Sequence, residues 1–329
     1  MSCTNPNIVR FRVDPDTGSL IHEFLGPARM LDPNTFGDPD SLVSRGYYLR
    51  PVPCGHCPDC RAAYAREWSN RCLLELQDMG CAIFVTLTYS NDHLPLSSDG
   101  IPTLCTRDTQ LFMKRLRKHF SDKRIRFYLV GEYGSKTSRP HYHAILFGLD
   151  LTDFEDLQVK FYNNLGQPVY VSDTFSNIWS LGICSIGSVT KKSCDYVARY
   201  VLKKQKDLDS DGQYPLGVKP PFSLASRKPG IGMLHASDYI MSDKTHFVVN
   251  DKQFVYEFPL PGSIIKNVKS STDSFDVLDR ISSIAYNNAV NGNSRLLSEL
   301  AAYGMTYDEV LKRKAQSRVD RLNLLPERK

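Results

Sequence analysis

The stretch Arg139-Pro140-His141-Tyr142-His143-Ala144 places two histidines one residue apart, at the start of an apolar run that continues to Phe147. Side chains of a β-strand alternate between its two faces, so a strand here presents both imidazoles on one side. Two neutral imidazoles on one face can bind a single metal ion, but they leave its coordination shell incomplete. The sequence therefore predicts a strand over 141–148 that carries part of a metal site.

Glu132 is the predicted third ligand of this site. It lies near the end of the apolar segment Arg126–Tyr133, and a hairpin through Ser135–Ser138 would bring that segment alongside the histidines. A set of two histidines and one glutamate with open positions suits Mg²⁺ or Mn²⁺, which can polarise a phosphate oxygen.

Two tyrosines, Tyr196 and Tyr200, follow in the segment Tyr-Val-Ala-Arg-Tyr. A spacing of four places both rings on one face of a helix, which is predicted over 193–204. A phenol with a pKa of about 10 is a poor nucleophile at neutral pH, but a metal that neutralises phosphate charge makes attack feasible. The pair predicts metal-assisted attack on a phosphodiester, with two rings packed on an amphipathic helix as the alternative.

The segments around the histidines predict an α+β fold. In chain order the predicted elements are a strand at 82–89, a helix at 106–120, strands at 126–133 and 141–148, a helix at 152–165 and a strand at 182–190. This β-α-β-β-α-β order is the ferredoxin-like arrangement, an antiparallel sheet with helices on one face.

Turn residues and helical periodicity divide the chain into five predicted regions. They are an irregular N-terminal arm at 1–50, a cysteine knuckle and helix at 51–80, the core at 81–205, loops and short strands at 206–270, and a helical tail at 271–329. Within the fourth region, Phe247–Val249 and Phe254–Phe258 have strand character.

The knuckle Cys54-x-x-Cys57-x-x-Cys60 has the tight spacing of a zinc or iron–sulfur site. Three thiolates need a fourth ligand, and Cys72 or His56 is the predicted one. Reduced surface thiols are the alternative. Without an export signal, the cysteines are not expected to form a disulfide framework.

Composition and charge narrow the classes of protein. The 329 residues are 41% hydrophobic and 23% charged, which excludes wholesale disorder, and the net charge is only +5. Basic residues nevertheless crowd between 114 and 126, a cluster suited to phosphates or, alternatively, a solvated helix face. The predicted DNA-binding residues are Lys114, Arg115, Arg117, Lys118, Arg199, Lys203 and Lys204.

Several features are absent from the sequence. No stretch approaches the ~20 apolar residues of a membrane span, and the first residues lack the character of a signal peptide, so a cytoplasmic protein is expected. No motif of the form G-x-x-x-x-G-K-[ST] occurs, so helicase activity is not expected.

The motifs Phe84–Tyr89, Arg139–Ala144 and Tyr196–Lys204 occur in an order that resembles a known family. The chain resembles HUH-superfamily rolling-circle replication initiators, in particular the replication protein of gokushovirus-type (Microviridae) single-stranded DNA phages. Pro53–Arg61 and Ser226–Gly232 also resemble segments of those phage proteins, and the likeness covers about residues 50–235.

The resemblance implies a site-specific single-stranded DNA endonuclease and strand transferase. One tyrosine would nick the origin and become linked to the 5′ phosphate, while the released 3′ hydroxyl primes a host DNA polymerase. The second tyrosine would cut the regenerated origin, and the displaced strand would be closed into a circle. The likeness implies His141 and His143 as metal ligands and Tyr196 and Tyr200 as nucleophiles, whereas Glu132 rests on its position alone.

The implied partners are single-stranded origin DNA, a host polymerase and a host helicase, in the bacterial cytoplasm if the protein is phage-encoded. Within the superfamily, a plasmid relaxase or a single-tyrosine transposase is the near alternative. A different class is a non-catalytic single-strand-binding or packaging protein with a zinc knuckle, using the basic stretch and aromatic stacking. A metal-dependent covalent DNA adduct would separate the enzyme from the binding protein.

Overall fold

The structure is a computed structural model. It describes residues 3, 6–13, 16, 20–27, 47–134, 137–163, 166–203, 214, 216–242, 246–251, 254–284, 304, 309, 313, 316 and 317. Side chains are described for these residues except 11–13, 20, 47–51, 200–203, 246–251 and 254. The chain divides into two compact units, Met1–Ala63 with Ser282–Lys329 and Tyr64–Ile281.

The first unit contains a three-stranded antiparallel sheet in the order β2-β1-β3, formed by β1 (Asn7–Val13), β2 (Leu20–Pro27) and β3 (Tyr47–Val52). The prediction of an irregular arm over 1–50 is therefore wrong for these strands. The alternation of apolar and basic residues in Val-Arg-Phe-Arg-Val is a strand pattern, and the Asp-Pro turns lie between the strands.

The second unit is built on a seven-stranded antiparallel sheet in the order β10-β5-β6-β4-β9-β8-β7. Its strands are β4 (Ala82–Tyr89), β5 (Arg126–Tyr133), β6 (Pro140–Phe147), β7 (Gln158–Tyr162), β8 (Pro168–Val171), β9 (Gly182–Ser188) and β10 (Phe222–Ala225). The predicted α+β class with an antiparallel sheet is confirmed.

The helices of the described residues are α1 (Pro58–Met79), α2 (Thr106–His119), α3 (Asp173–Trp179), α4 (Lys191–Lys203), α5 (Ala236–Met241) and α6 (Gly262–Ser271), and 275–284 is also helical. None of the helices in this part of the chain is long and apolar enough to cross a membrane. A separate hairpin of β11 (His246–Asp251) and β12 (Phe254–Pro259) confirms the two short strands predicted there. The predicted helical tail beyond 284 lies almost wholly outside the described residues.

Helices cover both faces of the large sheet, not one face as predicted. On the first face, Val85 and Leu87 of β4 belong to a core with Phe112 of α2 and Trp179 of α3. On the second face, Trp68 of α1 stacks on Tyr128 of β5, with ring centroids 4.6 Å apart. The second face also needs a covering layer because it carries large apolar side chains that would otherwise contact water.

The predicted helix at 152–165 is a β-hairpin of β7 and β8, and the helix α3 comes later. Apolar residues at 157, 161 and 165 match the helical period, but a tight turn interrupts the segment. The Asn163 side chain accepts a hydrogen bond from the backbone N–H of Gln167 at 3.0 Å, and Gly166 has a φ of 71°. All five residues of the edge strand β7 are exposed, and its register with β8 is irregular between Val159 and Phe161.

A buried ion pair between Glu75 of α1 and Arg126 of β5 holds the loop that follows β10. The Arg126 Nη2 group donates to the carbonyl oxygens of Pro229 and Gly230, both at 2.9 Å. The second Glu75 oxygen accepts a hydrogen bond from the backbone N–H of Gly232 at 2.6 Å. The pair therefore anchors the Ser226–Gly232 segment, which the sequence singled out, to the second face of the sheet.

We expect Arg126→Met to lower the free energy of unfolding by about 3–5 kcal/mol, because the buried Glu75 carboxylate loses its charged partner. Urea denaturation followed by circular dichroism measures the change. Arg124→Met, at an exposed position two residues away, is the matched control and should stay within about 0.5 kcal/mol of the wild type. A loss below about 1 kcal/mol in Arg126→Met would contradict the stabilising role of the pair.

Candidate functional site

The three predicted metal ligands come together on the second face of the sheet. The register of β5 and β6 places Glu132 opposite His141, and His143 lies two residues further along the same face. The Glu132 Oε1 atom is 2.8 Å from Nε2 of His141 and 3.1 Å from Nε2 of His143. These three residues form one of two groups among the described residues whose ligand atoms are close enough to hold a metal ion.

Contacts outside the ligand set orient both imidazole rings. The Nδ1 atom of His141 lies 3.1 Å from the carbonyl oxygen of Arg139, which can only accept, so Nδ1 carries the proton. The neutral ring then turns the lone pair of Nε2 toward the Glu132 carboxylate. Two acceptors this close repel each other unless a proton or a cation lies between them, so the arrangement fits a cation site.

Thr86 of β4 is a residue of the site that sequence reasoning missed. Its Oγ1 atom is 2.9 Å from Nδ1 of His143, the residue with which it pairs across the sheet. Such contacts fix the orientation of metal-binding histidines. The signal in the sequence is the position of Thr86 two residues after Phe84, on the same face of the predicted strand.

The Glu132 carboxyl group is almost completely buried, with 3% of its surface exposed. Burial by itself would raise its pKa. Hydrogen bonds from His141 and His143, together with the charges of the two rings, outweigh burial and lower the pKa to about 2. Glu132 is therefore ionised at neutral pH and offers a negatively charged oxygen ligand, as a divalent cation requires.

Tyr196 of α4 lies beside the metal-ligand group. Its ring packs edge-on against His143, with centroids 5.2 Å apart, and also contacts Phe84, with centroids 6.1 Å apart. The side chain is 38% exposed, so a ligand in solution can reach it. Tyr200 belongs to the same helix, one turn further on, but its side chain lies outside the described residues.

A hydrogen bond between two helices fixes the turn of α4 that carries Tyr196. The Oδ1 atom of Asp195 accepts a hydrogen bond from the hydroxyl of Ser69 on α1 at 2.6 Å, and Oδ2 accepts one from Lys191 at 2.7 Å. Ser69 is buried, with 1% of its surface exposed. Sequence reasoning missed this contact because it joins residues 126 positions apart.

The basic residues of α2 lie on the first face of the sheet, opposite the metal ligands. Arg115 donates to the carbonyl oxygens of Ile178 and Trp179, both at 2.7 Å, and Arg117 donates to that of Ile125 at 3.2 Å. These arginines therefore contribute to the fold. DNA binding by the exposed Lys114 and Lys118 stays a prediction.

The basic residues of α4 have no described contact with the metal site. Arg199 is exposed on the helix. The side chain of Lys203 and all of Lys204 lie outside the described residues. Binding of the DNA backbone by these three residues stays a prediction.

Four cysteines form a second candidate metal group, in the first unit. The Sγ atoms of Cys3, Cys54, Cys57 and Cys60 all lie within 4.8 Å of one another. The fourth thiol is thus Cys3, so the prediction of Cys72 or His56 is wrong. Cys72 is fully buried in the second unit, where burial raises the pKa of its thiol.

Comparison with known proteins was made for the whole chain. Residues 82–205, which contain the metal ligands and both tyrosines, match the family model of replication-associated proteins of the ORF2 type. The chain resembles phage replication-associated proteins. It is 38% identical over 215 residues to the replication-associated protein ORF2 of Spiroplasma virus 4, covering 62% of this chain and 61% of that protein.

Two further phage proteins share this likeness to replication-associated proteins. The replication-associated protein VP4 of Bdellovibrio phage phiMH2K is 37% identical over 188 residues, which is 55% of this chain and 56% of that protein. The replication-associated protein ORF4 of Chlamydia phage 1 is 33% identical over 267 residues, 78% of this chain and 61% of that protein. The resemblance predicted from the sequence is confirmed.

The match is partial in length. The chain covers 61%, 56% and 61% of the three relatives, less than two thirds of each. No solved structure is significantly similar to the chain.

Proposed function

We propose that this protein is an HUH endonuclease, a metal-dependent enzyme that nicks and rejoins single-stranded DNA at a phage origin and so initiates and terminates rolling-circle replication. The observation that carries the proposal is the position of Tyr196, whose ring lies 5.2 Å from that of His143 in the metal-ligand group. An accessible phenol beside a cation site is the arrangement that tyrosine attack on a phosphodiester requires.

Glu132, His141 and His143 would hold Mg²⁺ or Mn²⁺, which when bound supplies positive charge that polarises a non-bridging oxygen of the scissile phosphate. Their single carboxylate and two imidazoles fit either ion. Thr86 and the Arg139 carbonyl keep the two rings in a fixed orientation. That orientation is therefore prepared before substrate binds.

The Tyr196 hydroxyl oxygen forms a bond with phosphorus while the bond from phosphorus to the 3′ oxygen breaks. The phenolic proton is lost to water, and the released 3′ oxygen takes up a proton to become a hydroxyl. One phosphodiester replaces another, so the 3′ hydroxyl can attack the phosphotyrosine and rejoin the strand without ATP. The enzyme is therefore a strand transferase as well as a nuclease.

Two tyrosines on one helix allow two covalent links in succession. Tyr200 follows Tyr196 by one turn of α4, so one residue can keep the first 5′ end while the other makes the second cut. A host DNA polymerase would extend the 3′ end and a host helicase would open the duplex, in the bacterial cytoplasm. The three phage relatives support this role in replication.

The core fold is inferred to be ferredoxin-like. The four strands predicted from the sequence lie in the order β5-β6-β4-β9, and each pairs antiparallel with its neighbour. Both metal-ligand strands are thus central, and β4 supports His143 from the other side.

The test uses labelled single-stranded oligonucleotides tiled across the genome that encodes the chain, with Mg²⁺, Mn²⁺ or EDTA. We expect one sequence to give a covalent protein–DNA band on denaturing gels with metal and none with EDTA. Retarded DNA without a covalent band under any metal would reject the enzyme. It would favour the non-catalytic binding or packaging protein.

We expect Ser69→Ala to slow nicking about tenfold, because the turn of α4 that carries Tyr196 loses its anchor and misplaced groups react slowly. Affinity for Mn²⁺ should not change, since Ser69 does not contact a metal ligand in the described structure. Single-turnover nicking and Mn²⁺ titration measure the two effects. Ser98→Ala, at an exposed loop position, is the control. Equal rates for Ser69→Ala and wild type would contradict the positioning role.

A further inference from the structure

We propose that Cys3, Cys54, Cys57 and Cys60 bind one Zn²⁺ ion in a closed tetrahedral site that stabilises the first unit. The distances between the sulfur atoms are the first support. In a tetrahedron with zinc–sulfur bonds of about 2.3 Å, neighbouring sulfurs lie about 3.8 Å apart. The Sγ atoms are separated by 3.7 Å in the pair Cys3–Cys57 and by 3.9 Å in the pair Cys54–Cys60.

The same distances exclude two other uses of these thiols. All four Sγ atoms lie within 4.8 Å of one another, whereas a multi-iron cluster spreads its thiolates over separate iron atoms. The sulfurs are also much further apart than the ~2.05 Å of a disulfide bond, and all four cysteines are free. A single four-coordinate ion fits the group.

Backbone N–H groups already point at the sulfurs. The N–H groups of Cys54, Cys57 and Cys60 donate to the Sγ atoms of Cys3, Cys54 and Cys57, at 3.4, 3.3 and 3.4 Å. Donation of this kind offsets the negative charge that thiolates carry when they bind a metal. The group thus has the outer contacts of a metal site.

The sheet of the first unit brings in the distant fourth ligand. Asn7 of β1 pairs with Val52 of β3, so the residues before β1 run alongside the residues after β3. Cys3 therefore meets Cys54 and is almost fully buried, with 2% of its surface exposed. The ion would join the segment before β1, the loop after β3 and the first turn of α1.

Four protein ligands leave no open position, so this ion would be structural and not catalytic. The inference does not depend on the proposed nuclease activity. The Glu132, His141 and His143 group is a separate set, and the experiment must distinguish the two.

The metal content of the purified full-length chain, measured by plasma mass spectrometry after exhaustive dialysis, is the test. We expect one zinc per chain in the wild type and in the His141→Ala/His143→Ala variant, and at least a tenfold loss in Cys3→Ser. Cys105→Ser, outside the group, is the matched control, and Cys72→Ser tests the ligand expected from sequence. Both should keep their zinc.

A second measurement covers the case in which Cys3→Ser does not fold. Co²⁺ exchanged into the wild-type chain should give the visible bands of tetrahedral cobalt and the charge-transfer bands of thiolate ligation. A folded wild-type chain without zinc that gives no such bands with Co²⁺ would overturn the proposal. Full zinc in soluble Cys3→Ser would overturn the role of Cys3.

Discussion

In a Tyr200→Phe background, replacing Tyr196 with phenylalanine is expected to abolish the covalent DNA adduct and to slow nicking by more than about 10³-fold. The substitution removes only the hydroxyl oxygen. The ring should keep its contacts with His143 and Phe84, because neither contact uses the hydroxyl group. Loss of activity would therefore reflect loss of the nucleophile and not collapse of the site.

Single-turnover nicking of the labelled origin strand gives the rate, and the denaturing gel gives the adduct. Tyr162→Phe, with 66% of its side chain exposed on the edge strand, is the matched control and should nick at the wild-type rate. The single variants Tyr196→Phe and Tyr200→Phe assign the order of attack. A full-strength adduct in the double variant would mean that another residue is the nucleophile.

The second large effect is expected for Glu132→Gln. Glutamine keeps the size of the side chain but replaces the ionised carboxylate that lies between His141 and His143. Without this negative charge the site should bind a divalent cation weakly, and nicking at a fixed Mn²⁺ concentration should fall about 10²- to 10³-fold.

Titration of the nicking rate with Mn²⁺ separates the two parts of this effect. If Glu132 is a metal ligand, a high Mn²⁺ concentration should restore part of the rate in Glu132→Gln. Glu155→Gln, at an exposed position, should titrate like the wild type. An unchanged Mn²⁺ dependence in Glu132→Gln would show that the carboxylate has no part in metal binding.

The metal-ligand group could be predicted because its geometry is local. His141 and His143 share a face by strand alternation, and a short hairpin fixes which residue of the preceding strand lies opposite them. Glu132 follows from those two constraints alone. The helix that carries Tyr196 was equally clear from its periodicity.

The parts that could not be predicted depend on contacts between distant segments. Cys3 joins the knuckle only because β1 pairs with β3, and no local pattern near Cys3 reports that pairing. Likewise, the contact between Ser69 and Asp195 requires α1 to pack beside α4 on the second face of the sheet. The segment at 152–165 failed for a different reason, since its apolar spacing fits a helix while the turn at Asn163 requires a hairpin.

The edge strand β7 has a consequence for the solubility of the protein. An exposed edge with apolar side chains such as Phe161 can recruit a strand from another molecule, which is how many proteins begin to aggregate. The irregular register after Val159 disrupts the ladder that an incoming strand would extend, and Lys160 adds a charge at the same place. A regular, uncharged β7 would therefore make the chain prone to self-association at high concentration.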